Sequence, residues 1–143
     1  MERLHDERIK RVRARMEEAG IDRLIVTDPL SIYYLTDIEV HPGERFWALL
    51  MSVGGGLRLF ANKLFSLGET SIPVELFDDN ADIARVVAPY LLGGVVGVDK
   101  TMAARFLLPI MDACGEVDFV VGSDCVDDVR AIKDEAEKQL MRR

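Results

Sequence analysis

The chain has 143 residues, which corresponds to one domain, since most domains contain roughly 100–200 residues. Hydrophobic residues make up 49% of the sequence and charged residues 30%, enough apolar surface for a core and too much for intrinsic disorder. Basic residues number 18 against 25 acidic ones, a net charge of −7, which argues against nucleic-acid binding through phosphate neutralisation. No apolar stretch approaches the roughly 18 residues of a membrane span, and the charged N-terminus is not a secretory signal. We therefore expect a soluble, cytoplasmic domain in which Cys114 and Cys125 are reduced thiols.

The N-terminal part of the chain predicts a helix, a strand and a second helix. Apolar residues recur every three or four positions on one face of the first helix: Ile9, Val12, Met16 and Ala19. Gly20 is the expected end of this helix, because glycine readily adopts the left-handed conformation that follows a helix C-terminus. The apolar run 23–26 predicts a short buried strand, and Pro29 predicts the start of a helix soon after it.

The middle of the chain predicts a β-hairpin. Apolar runs at 46–51 and 57–61 flank Gly54-Gly55-Gly56, and glycine supplies the positive φ angles of tight turns. Three further apolar runs predict strands that alternate with helices: 74–77, 95–98 and 117–121. The order α β α β β β α β α β α predicts an α/β domain with a mixed six-stranded sheet, an embedded hairpin and helices on both faces.

Polar residues predict where the later helices start. Asp78-Asp79-Asn80 is expected to cap a helix, because short polar side chains accept hydrogen bonds from the first free amides of a helix. Thr101 is expected to cap the next helix, which Pro109 should shorten or kink.

No complete catalytic centre is evident in the sequence. A metal site needs several His, Cys, Asp or Glu side chains at one point, but His5 and His41 are the only histidines and belong to no metal-binding motif. The acidic clusters at 78–82 and 124–128 precede or open predicted helices, where carboxylates stabilise the N-terminal end. No serine lies in a Gly-x-Ser-x-Gly motif, and the triple glycine joins two strands instead of leading into a helix. The sequence therefore predicts no self-sufficient active site.

Polar chemistry concentrates in one predicted loop, at 37–45. His41 is expected to titrate near neutral pH, and Arg45 can hold a carboxylate through two parallel hydrogen bonds. The alternative is a solvated loop whose charges pair loosely, each pair contributing up to about 1 kcal/mol. Phe46 and Trp47 would anchor the loop to the sheet. The candidate residues of the loop are Asp37, Glu39, His41, Glu44 and Arg45.

Two segments resemble the creatinase/prolidase/aminopeptidase P family. The run ARMEEAGIDRLIVTDPLSIYYLTD, followed after a short loop by GERFWALLM, is similar to the N-terminal domain of that family. The ending VDDVRAIKDEAEKQLMR resembles the junction at which a helix with an R-x-I-K-[DS]-x-x-E pattern leads into the catalytic domain. The matching positions are Arg130, Ile132, Lys133 and Asp134, with Glu137 near the acidic position. The resemblance implies a domain over 1–130, related to ribonuclease H-like folds, and the start of a linker helix over 131–143.

The resemblance also implies a function. Family hydrolases cleave the bond before proline with two divalent metal ions, for which Mn, Co and Zn are the candidates. These ions are held by two Asp, one His and two Glu of a C-terminal "pita-bread" domain, so this chain would contain no catalytic residue, metal ligand or cofactor. The N-terminal domain would help to form a homodimer and would gate the neighbouring subunit's active site. Asp37, His41, Glu44 and Arg45 would form the gating loop and recognise the charged terminus of a dipeptide.

Two alternative interpretations stay open. The same fold occurs in relatives that have lost peptidase chemistry, including a histone-chaperone subunit, and a chain with a net charge of −7 would suit basic partners. Creatinase-type amidine hydrolysis needs no metal and would depend on arginines and aromatic residues of this domain. Metal ligands encoded downstream of Arg143 would distinguish the peptidase from the binding module.

Overall fold

The computed structural model describes the backbone of residues 2–131 and the side chains of residues 5–131. Among these residues, no helix is both long enough and apolar enough to cross a bilayer. The elements follow the predicted order, with a short 3-10 turn at Ala88–Tyr90 after the third helix. Their bounds are α1 Glu2–Ala19, β1 Arg23–Val26, α2 Pro29–Thr36, β2 Ala48–Ser52, β3 Leu57–Asn62, β4 Val74–Phe77, α3 Ile83–Val87, β5 Val95–Val98, α4 Ala104–Ala113 and β6 Asp118–Val121, followed by a C-terminal helical segment at 124–131.

A mixed six-stranded sheet with the order β4-β3-β2-β1-β5-β6 forms the centre of the molecule. β2 is antiparallel to both β1 and β3, whereas the pairs β1–β5, β3–β4 and β5–β6 are parallel. The predicted hairpin is β2–β3, and Gly55 and Gly56 supply positive φ angles in its turn. Because β1, β5 and β6 run in the same direction, the loops that follow them meet at one edge of the sheet.

Helices cover both faces of the sheet, which gives two hydrophobic cores. β2 is apolar from Ala48 to Met51, and successive residues of a strand point to opposite faces of the sheet. Leu49 and Met51 belong to the core that α1, α2 and the C-terminal helical segment cover. Ala48 and Leu50 belong to the core that α3 and α4 cover. The predicted α/β architecture with helices on both faces is confirmed.

The third helix begins at a different cap from the predicted one. Asp82 caps α3, since its Oδ1 atom accepts a 3.1 Å hydrogen bond from the Ala84 amide. The predicted cap, Asp78-Asp79-Asn80, forms a turn before the helix. The prediction was wrong because several neighbouring side chains have capping chemistry, and only the path of the chain decides which of them meets a free amide.

Three other helix details also differ from the predictions. Thr101 does not cap α4, which has no side-chain cap, because the Thr101 hydroxyl donates to Asp99 over 2.8 Å. Pro109 lies inside α4 and the helix continues beyond it to Ala113, so of the two predicted effects, shortening or a kink, the shortening does not occur. Ala19 is exposed in the last turn of α1, whereas the other three residues of the predicted apolar face are buried.

The C-terminal helical segment is tied to the start of α2. Arg130 donates a 3.1 Å hydrogen bond to the Ser31 hydroxyl and lies 3.4 Å from a carboxylate oxygen of Asp28. This contact joins residues that are about one hundred positions apart. The predicted linker helix over 131–143 lies outside the described residues, apart from residue 131.

Candidate functional site

The loop at 37–45 connects α2 to β2, and alternate side chains tie it to the domain. Ile38 and Val40 are buried in the core beneath α1 and α2, whereas every charged side chain of the loop is exposed. Asp37 ends α2 in the left-handed conformation, with φ of 64°, and its amide donates to the Tyr33 carbonyl over 2.8 Å. The loop therefore presents its polar side chains to solvent from an anchored backbone.

Two aromatic residues anchor the C-terminal end of the loop, as predicted. Phe46 packs into the core beneath α3 and α4, with its ring centroid 5.1 Å from that of Phe106. Trp47 packs into the opposite core, with its ring centroid 6.1 Å from that of Phe65. Because the two rings lie in opposite cores immediately before β2, this pair fixes the point at which the loop joins the sheet.

The predicted ligand-recognition residues have different partners. His41 Nε2 lies 3.0 Å from Glu39 Oε1, and 88% of the His41 side-chain surface is exposed. Arg45 instead donates from Nε and Nη2 to the two carboxylate oxygens of Asp79, over 3.0 and 3.2 Å. Within the described part of the chain, no hydrogen bond joins two of the four predicted gating residues, which share one exposed loop without converging: Asp37, His41, Glu44 and Arg45.

Asp79 accepts hydrogen bonds from the sheet as well as from the loop. Its Oδ1 atom also accepts a 2.7 Å hydrogen bond from Asn62, which is buried at the end of β3. The hydrogen bonds from Arg45 and Asn62 lower the pKa of the Asp79 carboxyl below its usual range. The hydrogen bond and the negative charge of Asp79 in turn raise the pKa of Arg45. The sequence did not link Asn62 or Asp79 to the loop, because only the parallel pairing of β3 with β4 brings them to it.

A cleft of about 260 Å³ lies between the loop and the start of α4. The Arg105 guanidinium donates to the Glu44 carbonyl and lies 4.8 Å from the Phe106 ring centroid, so it connects the loop to α4. Two guanidinium groups beside apolar walls suit a ligand that carries both a carboxylate and an apolar group. The residues around the cleft include Thr27, Pro42, Arg45, Phe46, Arg105 and Phe106.

Next to the cleft, Asp99 ties the carboxyl ends of β1 and β5 together. Its buried carboxylate accepts hydrogen bonds from the amides of Thr27 and Asp28 and from the hydroxyls of Thr27 and Thr101. A buried carboxylate needs such partners, because an unpaired charge is costly inside a protein. Asp99 therefore has a structural role, which the sequence did not indicate because Thr27 and Asp28 lie 72 and 71 residues away.

The acidic clusters do not form a metal centre in the described part of the chain. In the first cluster, Asp82 caps α3, Asp79 binds Arg45, and Asp78 accepts a 3.0 Å hydrogen bond from the Asn80 amide. In the second, Asp127 accepts a 3.0 Å hydrogen bond from Lys100 and Asp128 lies 3.6 Å from Arg15. Across residues 5–131, no three His, Cys, Asp or Glu side chains are placed to hold a metal ion.

Both cysteines are free and buried, in agreement with the prediction of reduced thiols. Burial raises the pKa of the Cys114 thiol, and burial together with the nearby Asp124 carboxylate raises that of Cys125. Since the thiolate is the nucleophilic form of cysteine, neither side chain is suited to nucleophilic catalysis.

The sequence matches a known domain family over most of its length. The sequence profile of the creatinase/prolidase N-terminal domain matches residues 8–132. The probable dipeptidase PepE of Mycobacterium tuberculosis is 28% identical over an alignment of 135 residues, and the match covers 88% of this chain and 36% of PepE. The chain therefore spans about a third of the length of this relative.

Solved structures have the same fold. A dipeptidase from Pyrococcus horikoshii superposes with a TM-score of 0.75 at 25% identity, over 86% of this chain and 36% of that protein. A creatinase N-terminal superfamily domain of a dipeptidase from Streptococcus thermophilus superposes with a TM-score of 0.73 at 18% identity, over 85% of this chain and 96% of that domain. The superposition on an isolated N-terminal domain shows a shared fold, and the profile match over residues 8–132 shows that this chain belongs to the creatinase/prolidase N-terminal domain family.

Proposed function

We propose that this chain is the non-catalytic N-terminal domain of a Xaa-Pro dipeptidase, a prolidase-like metallopeptidase whose chemistry resides in a following domain. The observation that carries the proposal is the match to dipeptidases of which the chain covers 36%. The titratable side chains described above support it, because they pair within the domain instead of converging on one point. Two divalent metal ions in the following domain, Mn, Co or Zn, would supply the hydrolytic chemistry.

The loop at 37–45 is the proposed gate of a neighbouring subunit's active site. Its charged side chains are exposed, while buried residues at 38, 40, 46 and 47 hold its backbone to the domain. In a cytoplasmic homodimer, Arg45 or His41 would bind the charged terminus of the dipeptide, since a guanidinium recognises a carboxylate through two hydrogen bonds. The domain would thus select the substrate while the metal centre hydrolyses it.

The non-catalytic role is tested by assaying this chain and a longer protein that continues into a catalytic domain. We expect the purified 143-residue chain to hydrolyse no Xaa-Pro dipeptide with manganese, cobalt or zinc added. The longer protein should hydrolyse Ala-Pro under the same conditions. Turnover that rises in proportion to the concentration of the short chain would contradict the proposal.

The gating role is tested in the longer protein with Arg45→Ala and His41→Ala. Loss of a charge-assisted hydrogen bond to substrate should raise KM about 10-fold, while the melting temperature changes little. Arg58→Ala is the matched control, because Arg58 forms a similar ion pair with Glu75, over 3.2 Å, away from the loop. If both loop variants melt several degrees earlier with unchanged kinetics, the loop is a structural element and not a gate.

A binding module is the second candidate, and the net charge of −7 favours it. Such a module would present its acidic surface to a basic partner. The sequence that follows residue 143 in a longer protein distinguishes the two candidates. Retained Asp, Asp, His, Glu and Glu ligands favour the peptidase, and their loss favours the binding module.

A further inference from the structure

The guanidinium of Arg45 is occupied by a carboxylate of its own chain. Its Nε and Nη2 atoms donate to the two oxygens of Asp79, over 3.0 and 3.2 Å. This two-point geometry is the one by which an arginine recognises the carboxylate of a ligand. Asp79 therefore occupies one bidentate edge of the guanidinium and offsets its positive charge.

The buried side-chain amide of Asn62 orients the Asp79 carboxylate towards the loop. Asn62 is only 2% exposed; its Nδ2 atom donates to Asp79 over 2.7 Å, and its Oδ1 atom accepts from the Leu64 amide over 2.9 Å. Because a backbone amide can only donate, the Asn62 oxygen must face Leu64 and its NH2 group must face Asp79. The sheet thus orients the Asp79 carboxylate whether or not Arg45 is bound to it.

The pair is nevertheless open to solvent. The side chain of Arg45 is 47% exposed and that of Asp79 is 55% exposed. Dissolved anions can therefore reach the guanidinium, and a second carboxylate can form the same two hydrogen bonds that Asp79 forms. Exposed ion pairs of this kind are weak enough to exchange partners.

We propose that Asp79 is a displaceable internal ligand of Arg45, so that a ligand carboxylate binds the Nε–Nη2 edge of Arg45 only by displacing Asp79. Asn62 is a positioning residue for this contact, and the relevance to dipeptides rests on the proposed function. Such competition reduces the apparent affinity for carboxylates to the intrinsic affinity multiplied by the fraction of molecules in which Arg45 is free. The competition therefore disfavours anions that bind through a carboxylate alone. It favours ligands that also contact the protein at points other than the Arg45 guanidinium.

The proposal is tested on the 143-residue chain by following the Arg45 Nε–H resonance in NMR spectra during a titration with sodium acetate. Sodium chloride at equal ionic strength corrects for screening. Asp79→Asn removes the competing charge and keeps the side-chain shape, and Asp79→Glu restores a carboxylate. Glu75→Gln is the matched control, because it removes the carboxylate of another exposed arginine pair, 3.2 Å from Arg58.

In the Asp79→Asn chain, we expect the Arg45 resonance to move and the half-saturating acetate concentration to fall about two- to five-fold. Asp79→Glu should return both quantities towards the original values, and Glu75→Gln should change neither. If acetate acts on the original chain and on Asp79→Asn with the same half-saturating concentration, Asp79 is not a competitor and the proposal is wrong.

A kinetic measurement separates this proposal from the proposed function. In a longer, active protein, Asp79→Asn should lower KM and leave kcat unchanged, and the effect should vanish when Arg45→Ala is also present. If the single variant Arg45→Ala leaves KM unchanged, the gating role is wrong, but the competition between Asp79 and acetate for Arg45 is not affected. If Arg45→Ala raises KM as expected but the original chain and Asp79→Asn have the same half-saturating acetate concentration, the gating role stands and the proposal that Asp79 competes for Arg45 is wrong.

Discussion

At the residue scale, Asp37 has a structural role in addition to its proposed place in the gate. Among residues 2–131, it is the one non-glycine residue with a positive φ, 64°. Aspartate tolerates this left-handed conformation better than most residues, because its short side chain can hydrogen-bond locally. The position therefore favours a small or short polar side chain at the end of α2, whatever the loop does in a longer protein.

The left-handed conformation of Asp37 predicts opposite effects for two substitutions. Asp37→Gly should keep the free energy of unfolding or raise it by up to about 1 kcal/mol, because glycine has no Cβ to strain. Asp37→Val should lower it by about 1–2 kcal/mol, because a β-branched residue is strained at positive φ. Urea unfolding followed by Trp47 fluorescence measures both. Equal losses in the two variants would show that the carboxylate matters and the backbone conformation does not.

The Arg45–Asp79 pair predicts a pH dependence confined to acid pH. Its hydrogen bonds lower the pKa of folded Asp79 below the ordinary value of 3.8, so the pair is complete above that value and is lost as the pH falls through the lowered one. The Arg45 Nε–H resonance should therefore be constant from about pH 7 to about pH 5 and should change only below about pH 4. A change centred near about pH 6.5 would instead indicate a titrating histidine.

At the scale of elements, β5 and the end of β6 approach each other through two glycines. A Cβ atom on Gly122 would lie 2.9 Å from Leu24 Cδ1 and 3.2 Å from the Gly97 Cα atom. The first neighbour is a side-chain atom that can move, but the second belongs to the backbone of β5. Close packing of these residues therefore depends on the absence of a side chain at Gly122.

This close approach predicts that Gly122→Ala is destabilising. We expect the free energy of unfolding to fall by about 1–3 kcal/mol, since the strands must separate or Leu24 must leave its preferred rotamer. Gly115→Ala is the control, because a Cβ there would meet no atom within 4 Å and its φ is not positive. Thermal unfolding of the two variants measures the difference. Equal melting temperatures would show that the sheet accommodates the extra methyl group.

At the scale of the whole molecule, helices cover both faces of the sheet, so successive apolar side chains of β2 are all buried and all contribute to stability. Leu49 and Leu50 are both buried, the first beneath α1 and α2 and the second beneath α3 and α4. A sheet with one solvated face would bury only one of the two, because successive side chains point to opposite faces. The central strand therefore contributes to two cores at once.

This arrangement predicts that Leu49→Ala and Leu50→Ala are both strongly destabilising. Each should lower the free energy of unfolding by about 2–5 kcal/mol, the range measured for cavities left by leucine in protein cores. Leu76→Ala on the edge strand β4 is the control, because Leu76 is 55% exposed and should change the value by less than about 0.5 kcal/mol. Urea unfolding measures all three variants. A large effect at only one of the two β2 positions would contradict two equivalent cores.

The order of the elements and the two covered faces could be predicted from local sequence patterns. The apolar run in β2 and the glycines before β3 indicated a buried hairpin, and the periodic residues of α1 indicated its buried face. These features depend on residues that are neighbours along the chain, because strand alternation and helical periodicity are properties of the local backbone. The same local patterns located the exposed polar loop at 37–45.

The partners of individual side chains were decided only by the tertiary structure. Asp79 has the chemistry of a helix cap, but the fold places it against Arg45 and Asn62, while Asp82 caps α3. Asp99 likewise holds β1 and β5 together through residues more than seventy positions away. A carboxylate accepts equally well from any donor within reach. Which donor it meets therefore depends on the packing of distant strands, and local sequence does not contain that information.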